Sequence, residues 1–289
     1  MTLKRTGITV TKFHGLGNDF IVASDRNLPR RLPDLARAIC DRHTGIGADG
    51  FIVVSSPKRK EHDARVRIFN ADGSEAEMSG NGIRCVGAFL SERAPKKKRF
   101  AVETSAGVKT LEVRAHKKEH EWVFRVAMGA PILEPAKIPF KGEHAGSPVV
   151  GYALQVQTGG VVLPATIVSM GNPHCSVFVD DFAALDWISL GREIENNPLF
   201  PNRTNVEFVR VLSSRQLEVR FWERGVGQTM SSGTGSSAAV VAAILNGYTG
   251  RKVRVRTLAG NLEIDWPAGG EVILTGPACK IAEATFCYG

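Results

Sequence analysis

The sequence has no apolar run that approaches the roughly 20 residues needed to cross a bilayer. Its longest candidate, AAVVAAIL from Ala238, is less than half that length. It also lacks any C-x-x-C pair. The five cysteines, Cys40, Cys85, Cys175, Cys279 and Cys287, are odd in number and scattered, which argues against zinc or a redox pair and for free thiols in a reducing compartment. The first residues, MTLKRTGITVTKF, contain no signal-peptide core and alternate like a strand, so the expected location is cytoplasmic. No low-complexity tract interrupts a chain that is 43% hydrophobic and 23% charged, which excludes extensive disorder. Basic residues exceed acidic ones by 8. The densest basic run, APKKKRF from Ala94 to Phe100, nevertheless has no interleaved aromatics for base stacking and reads as a solvated loop. Neither a nucleic-acid nor a membrane partner is expected, and the basic balance suits a small substrate carrying carboxylates. A chain of 289 residues has room for one large domain or two ordinary ones.

What the chain does contain is a repeat. Laying residue 66 over residue 219, VRIFNADGSEAEMSGNGIRCVGAFL meets VRFWERGVGQTMSSGTGSSAAVVAAIL without a gap. Val66 meets Val219, Arg67 meets Arg220, Asn70 meets Glu223, and Ser79, Gly80 and Gly82 meet Ser232, Gly233 and Gly235. ARVRIF and LEVRFW alternate as strands, and the apolar stretches after each Gly-x-Gly read as helices with a serine at the capping position. An earlier pair agrees: GLGNDFIV at Gly15 resembles SMGNPHCSVFV at Ser169, a Gly-Asn turn leading into a strand. Further strands are expected in WVFRVAM, ALQVQTGGVVLPATIVSM, NVEFVRVL and KVRVRTLAGNLEIDW, and further helices in LPDLARAICDRH and around FAALDWISLGREI. Two similar halves imply a pseudo-twofold molecule with a ligand cleft between them. The boundary is expected where Gly129, Pro131, Pro135 and Pro139 punctuate the chain.

A helix N-terminus offers unpaired N–H groups and partial positive charge, so it binds anions such as carboxylates. Two such ends could clamp one carboxylate and stabilise the charge that develops when a proton leaves the neighbouring carbon. An acid/base pair at the capping positions would then invert that carbon without a cofactor. A lone S-G-x-G is more often plain capping, and the duplication is what raises the functional reading. His174 in GNPHC and Glu223 with Arg224 in FWERG add polar groups near these turns, although each type alone is more often structural or surface. Asn18, Asn172 and Asn205 sit beside Gly, Asp, Pro or Thr, and Asn70 lies two residues before Asp72, where turn chemistry alone can place them.

Together KFHGLGNDFIV, DRHTGIGADGFIVV, RIFNADGSEAEMSGNGIRC, the Met-Gly-Ala-Pro at Met128, SMGNPHCSVFVDD, ENNPLFPNRTNVEFV and WERGVGQTMSSGTGSSAA resemble the diaminopimelate epimerase family almost end to end. The resemblance implies an α/β (α+β) fold of two pseudo-symmetric domains, each a mixed, strongly curved sheet wrapped around a central helix. It implies domains of residues 1–128 with 276–289, and 129–275, because the last strand in that fold returns to the first domain. It also implies a PLP-independent isomerase that interconverts L,L- and meso-diaminopimelate in lysine and peptidoglycan precursor synthesis, with no cofactor and no metal. Asn18, Asn70, Asn172, Asn205 and Arg224 would hold the substrate's amino and distal carboxylate groups. Gly80 and Asn81, with Gly233 and Thr234, would clamp the reacting carboxylate. His174 and Glu223 would orient the reacting amino group and tune the acid/base pair.

The chain departs from the family's pattern at the acid/base positions themselves. Where the family carries a cysteine before G-N-G and before G-T-G, this chain carries Ser79 and Ser232, and Gln228 stands in place of the family's glutamate. A serine hydroxyl is far less acidic than a thiol and needs a neighbouring base to act. Three expectations stay open: an epimerase whose serines are activated by His174 and Glu223 or were substituted for cysteine, a related amino-acid racemase or dehydratase, and a diaminopimelate-binding protein without turnover. A homodimer is also open.

Overall fold

The computed structural model describes residues 6–26, 28–143 and 146–288, so the first five residues of the expected N-terminal strand lie outside the described residues. The chain divides into two compact units, Met1–Val126 with Gly276–Gly289, and Ala127–Thr275.

In the first unit β1 (Thr6–Gly15) and β2 (Asn18–Ser24) form an antiparallel hairpin. Its two-residue turn has positive φ at both Leu16 (52°) and Gly17 (83°). That turn matches the twist of a hairpin, but the conformation is uncommon for leucine, and burial of the Leu16 side chain holds it there. Helix α1 (Leu32–Cys40) leads to β3 (Gly50–Ser55), parallel to β2. Next come β4 (Ala64–Asn70), antiparallel to β3, and the short β5 (Glu75–Ala76) folded back on β4. Helix α2 (Gly80–Arg93) crosses to β6 (Arg99–Thr104), parallel to β4, and β7 (Gly107–Lys118) and β8 (Glu121–Gly129) follow antiparallel.

The second unit repeats this order. After β9 (Val149–Gln155), β10 (Val162–Ser169) and β11 (Pro173–Phe178) form the hairpin. Helix α3 (Trp187–Glu195) leads to β12 (Asn205–Ser213), parallel to β11. Strand β13 (Gln216–Glu223) returns antiparallel, with the short β14 (Gly227–Thr229) folded back on it. Helix α4 (Gly233–Leu245) crosses to β15 (Lys252–Thr257), parallel to β13, and β16 (Gly260–Asp265) and β17 (Val272–Tyr288) complete the series. Within β17, residues 273–275 pair with β16, and residues 279–288 pair with β1. The internal repeat read over residues 66–90 thus extends to every strand pairing of the unit, parallel and antiparallel alike.

The strands of each unit pack on one buried helix. Every residue of α2 from Gly80 to Phe89 is buried, and the helix packs on β1, β2, β3 and β7. Helix α4 is buried from Gly235 to Ala243 and packs on β10 to β13, β15 and β16. A helix without a polar face belongs inside a core, which accounts for the apolar run at Ala238. No helix among the described residues is long and apolar enough to cross a membrane. By contrast α1 and α3 are two-faced: α1 buries Leu35, Ala36, Ile39 and Cys40, and α3 buries Leu190, Gly191, Ile194 and Glu195. The expected helix around FAALDWISLGREI begins later than its apolar pattern, because Asp186 caps it by accepting from Ser189 N.

The two central helices are not interchangeable. At Gly87 an added Cβ would lie 2.8 Å from Phe124 Cε1 and 2.9 Å from Leu111 Cδ2, whereas the repeat places Val240 there in α4. Gly87→Val is expected to lower unfolding stability by about 3 kcal/mol, since overpacking outweighs the gain from replacing a helical glycine. Urea unfolding with an unchanged slope and a lower midpoint is the expected result; an unchanged midpoint would show that Phe124 and Leu111 yield freely.

Candidate active site

The two serine-glycine turns are built alike. Ser79 precedes α2 with φ −133° and ψ 124°, and its Oγ accepts from Gly82 N at 3.0 Å. Ser232 precedes α4 with φ −128° and ψ 128°, and its Oγ accepts from Gly235 N at 3.2 Å. Both are N-caps that satisfy one orphan N–H of the helix and leave the first turn's remaining donors to other partners. The glycines are required by close approach. A Cβ on Gly82 would lie 3.1 Å from Ser79 Cβ, and one on Gly235 would lie 2.9 Å from Phe221 Cδ1 and 3.0 Å from Glu207 Oε1.

The hydroxyls differ in what they face. Ser232 is buried and donates to Glu223 Oε2 at 3.1 Å. Desolvation raises the Glu223 pKa above the usual glutamate range, and the hydrogen bond from Ser232 opposes this without cancelling it. At Ser79 no carboxylate accepts from the hydroxyl among the described residues. The residue equivalent to Glu223 is Asn70, which directs its Nδ2 to Ser74 Oγ at 2.9 Å.

In the second unit β11 and β12 run side by side with His174 opposite Asn205. His174 is fully buried, its Nδ1 lies 2.7 Å from Glu207 Oε1, and its Nε2 lies 2.9 Å from Asn172 Oδ1. Burial raises the Glu207 pKa, and the neighbouring His174 pulls it back only partly. Asn205 donates to Pro173 O at 2.9 Å and accepts from Arg224 N at 3.0 Å. The Arg224 guanidinium donates to Asn202 O, and the turn beyond it is pinned by Gly225 N donating to Glu195 Oε1 at 2.7 Å. Glu195 also accepts from Trp222 Nε1 at 2.7 Å, which locks the end of β13 from which Glu223 projects.

In the first unit Asn18 follows the Leu16–Gly17 turn directly. It donates to Asp49 Oδ2 at 2.8 Å and accepts from Asn81 Nδ2 at 3.2 Å. Asn81 is buried at the start of α2, and Arg84 Nη2 donates to its Oδ1 at 2.7 Å. Asn18 and Asn81 therefore share one network, while Asn70 turns to its own loop.

Glu207, Asp49, Arg84 and Glu195 were absent from the candidates drawn from sequence. Glu207, Asp49 and Arg84 each had one visible signal, a charged residue within an apolar strand or helix or a glycine-rich turn, whereas Glu195 follows Arg192 and Glu193 at the polar end of its helix and had none. Burial pushes the Cys40 and Cys85 thiols up to about 12 and the Cys175 thiol further still, so none of these supplies a thiolate at the helix starts. Among the described residues no group of three His, Cys, Asp or Glu side chains could hold a metal ion.

Solved structures place this architecture in a known class of fold. A predicted epimerase from Pseudomonas aeruginosa matches with a TM-score of 0.71 at 15% identity, covering 98% of this chain and 100% of that one. A hydroxyproline epimerase from Agrobacterium vitis, with bound trans-4-hydroxy-L-proline, matches with a TM-score of 0.70 at 15% identity, covering 99% and 93%. The fold is thus shared with epimerases and racemases. Sequence narrows it further. The family model for diaminopimelate epimerase matches residues 10–134 and 166–281. The diaminopimelate epimerase of Pelotomaculum thermopropionicum is 48% identical over 283 residues, 96% of this chain and 98% of that protein. That of Desulfitobacterium hafniense is 46% identical over 277 residues, 94% and 95%. The chain belongs to the diaminopimelate epimerase family.

Proposed function

We propose that the protein is an isomerase that interconverts L,L- and meso-diaminopimelate, removing the proton from one α-carbon and returning it on the other face without a cofactor. The observation that carries the reading furthest is the hydrogen bond from Ser232 to Glu223 at the start of a buried helix. A carboxylate whose pKa is raised by burial is a better proton acceptor than an ordinary one, and the hydroxyl it binds stands at the acid/base position of the family. The capping turns give the same anion-binding geometry twice, which suits stabilisation of the enolate-like charge on the reacting carboxylate.

In this reading Gly80, Asn81, Gly233 and Thr234 bind that carboxylate. Asn18, Asn70, Asn172, Asn205 and Arg224 bind the amino and distal carboxylate groups, the guanidinium fork of Arg224 suiting a carboxylate. His174, steadied by Glu207, orients the reacting amino group, and Ser79 and Ser232 carry the protons. The substrate is a small amino acid rather than a nucleic acid, and the protein works in the cytoplasm. Scattered cysteines without a C-x-x-C pair support that location.

One observation favours a second reading, a protein that binds diaminopimelate without inverting it. Among the described residues no base accepts from the Ser79 hydroxyl, so the relay they furnish lies at Ser232 alone. Proton NMR of L,L-diaminopimelate in heavy water separates the two. Deuterium entering the α-position together with the appearance of the meso form supports the epimerase. Calorimetric binding with neither change supports the binding protein.

A further inference from the structure

The polar network of the first unit has a direction, set at its two ends by groups that cannot reverse. At one end lies Arg84, fully buried on α2 and without a carboxylate partner among the described residues. Its Nε donates to Pro277 O at 3.0 Å, its Nη1 to Gly80 O at 2.8 Å and its Nη2 to Asn81 Oδ1 at 2.7 Å. At the other end lies Asp49, whose Oδ2 accepts from Asn18 Nδ2 at 2.8 Å and from Asp19 N at 3.1 Å. Arg42 donates to Asp49 Oδ1 at 2.8 Å and holds the carboxylate in place.

A guanidinium only donates and a carboxylate only accepts, whereas an asparagine amide can present either face. The atom of Asn81 that meets Arg84 must be oxygen, and the atom of Asn18 that meets Asp49 must be nitrogen. Asn81 Nδ2 donating to Asn18 Oδ1, at 3.2 Å, is the only sense that satisfies both ends. Gly15 makes the contact possible, since a Cβ there would lie 3.0 Å from Arg84 Nη2 and 3.3 Å from Asn81 Cβ.

We propose that Arg84 and Asp49 are positioning residues that fix the hydrogen-bond polarity of Asn81 and Asn18 before a ligand arrives. The proposal rests on the assignment of these two asparagines to the amino-acid substrate. With the amide of Asn18 set through Asn81, its second amide hydrogen is presented to the substrate in one sense, and no ordering of it is required at binding. Burying a cation without a counter-ion is costly, and burial pushes the Arg84 pKa down to about 10. Three carbonyl-type acceptors offset that cost, and two of them, Gly80 O and Asn81 Oδ1, belong to the helix start itself.

Neutron diffraction from deuterium-exchanged, ligand-free crystals reads the polarity directly. Deuterons on the Asn81 atom facing Asn18 and on the Asn18 atom facing Asp49 are expected; either amide reversed overturns the proposal. Calorimetry with L,L-diaminopimelate then compares three variants. Asp49→Asn and Arg84→Gln replace a one-way group by an amide and are expected to weaken binding about 10-fold or more, the loss expected where a hydrogen bond to a charged group is mispaired. Arg84→Lys still only donates and is expected to recover most of that loss. Equal losses for lysine and glutamine would make Arg84 a packing residue and overturn its positioning role. Should an Arg84 variant fail to fold, the Asp49→Asn result stands alone, since the Asp49 side chain is 44% exposed. If the unaltered protein does not bind diaminopimelate, the proposed substrate is wrong, and the neutron result still decides the polarity.

Discussion

Replacing both capping serines by cysteine, Ser79→Cys with Ser232→Cys, will raise α-proton exchange in L,L-diaminopimelate by about 10⁴-fold or more, since each well-placed acid/base group contributes about 10²–10⁴-fold. A thiol ionises near pKa ~8.5, and lower still at a helix N-terminus, whereas a hydroxyl holds its proton at neutral pH. The backbone needs no change to receive the thiols, because both cap residues already have the extended φ and ψ and the helix-facing orientation. The single variants will differ. Ser79→Cys will give the larger gain, because Glu223 already takes a hydrogen bond from Ser232 while Ser79 has no such acceptor among the described residues. Proton NMR in heavy water measures all three. Equal rates for the double variant and the unaltered chain would remove these positions from the proton path.

The second large effect is expected at Glu223. Glu223→Gln will lower exchange by the unaltered serine chain about 10²-fold or more, the contribution expected of one general base. It will also flatten the pH profile. Desolvation places the Glu223 pKa above that of an ordinary glutamate, so the base form accumulates only as pH rises through that raised value. Exchange by the unaltered chain therefore climbs over this range and levels off above it, and the variant lacks the climb. Stability should move the other way. A carboxyl whose folded pKa exceeds its unfolded pKa contributes stability at low pH that is lost as pH rises through the folded value. Above that raised value the glutamine therefore removes a buried charge, and thermal unfolding there should occur at the same or a higher temperature. Slower exchange accompanied by a lower unfolding temperature would instead indicate a damaged fold.

The repeat and both serine-glycine turns were readable from residues alone, because alternation, glycine spacing and capping serines are local signals. The apolar run at Ala238 was equally clear as a helix, and the family resemblance implied that such a helix lies within its own sheet. The supporting network was not readable, for a reason common to its members. His174 meets Glu207 across adjacent strands, Asn18 meets Asp49 after an intervening helix, and Arg84 meets Pro277 near the far end of the chain. Each is a contact between residues distant in sequence, chosen by strand order rather than by spacing. The lack of equivalence between Asn70 and Glu223 was visible in the aligned repeat. Its chemical meaning required seeing that, among the described residues, Ser232 donates to a carboxylate and Ser79 does not.

Strand β17 also bears on how the molecule is made. Its residues 279–288 pair with β1, so the sheet of the first unit gains that pairing only after the second unit has been translated. The second unit, Ala127–Thr275, needs nothing synthesised later than its own last strand pairing. Although domains are commonly completed in the order in which they leave the ribosome, here the unit encoded in the middle can close first. The unit that begins the chain waits with β1 half-paired. A stalled or prematurely terminated chain would thus carry a finished second unit and an unfinished first one, with an open strand edge exposed to neighbouring nascent chains.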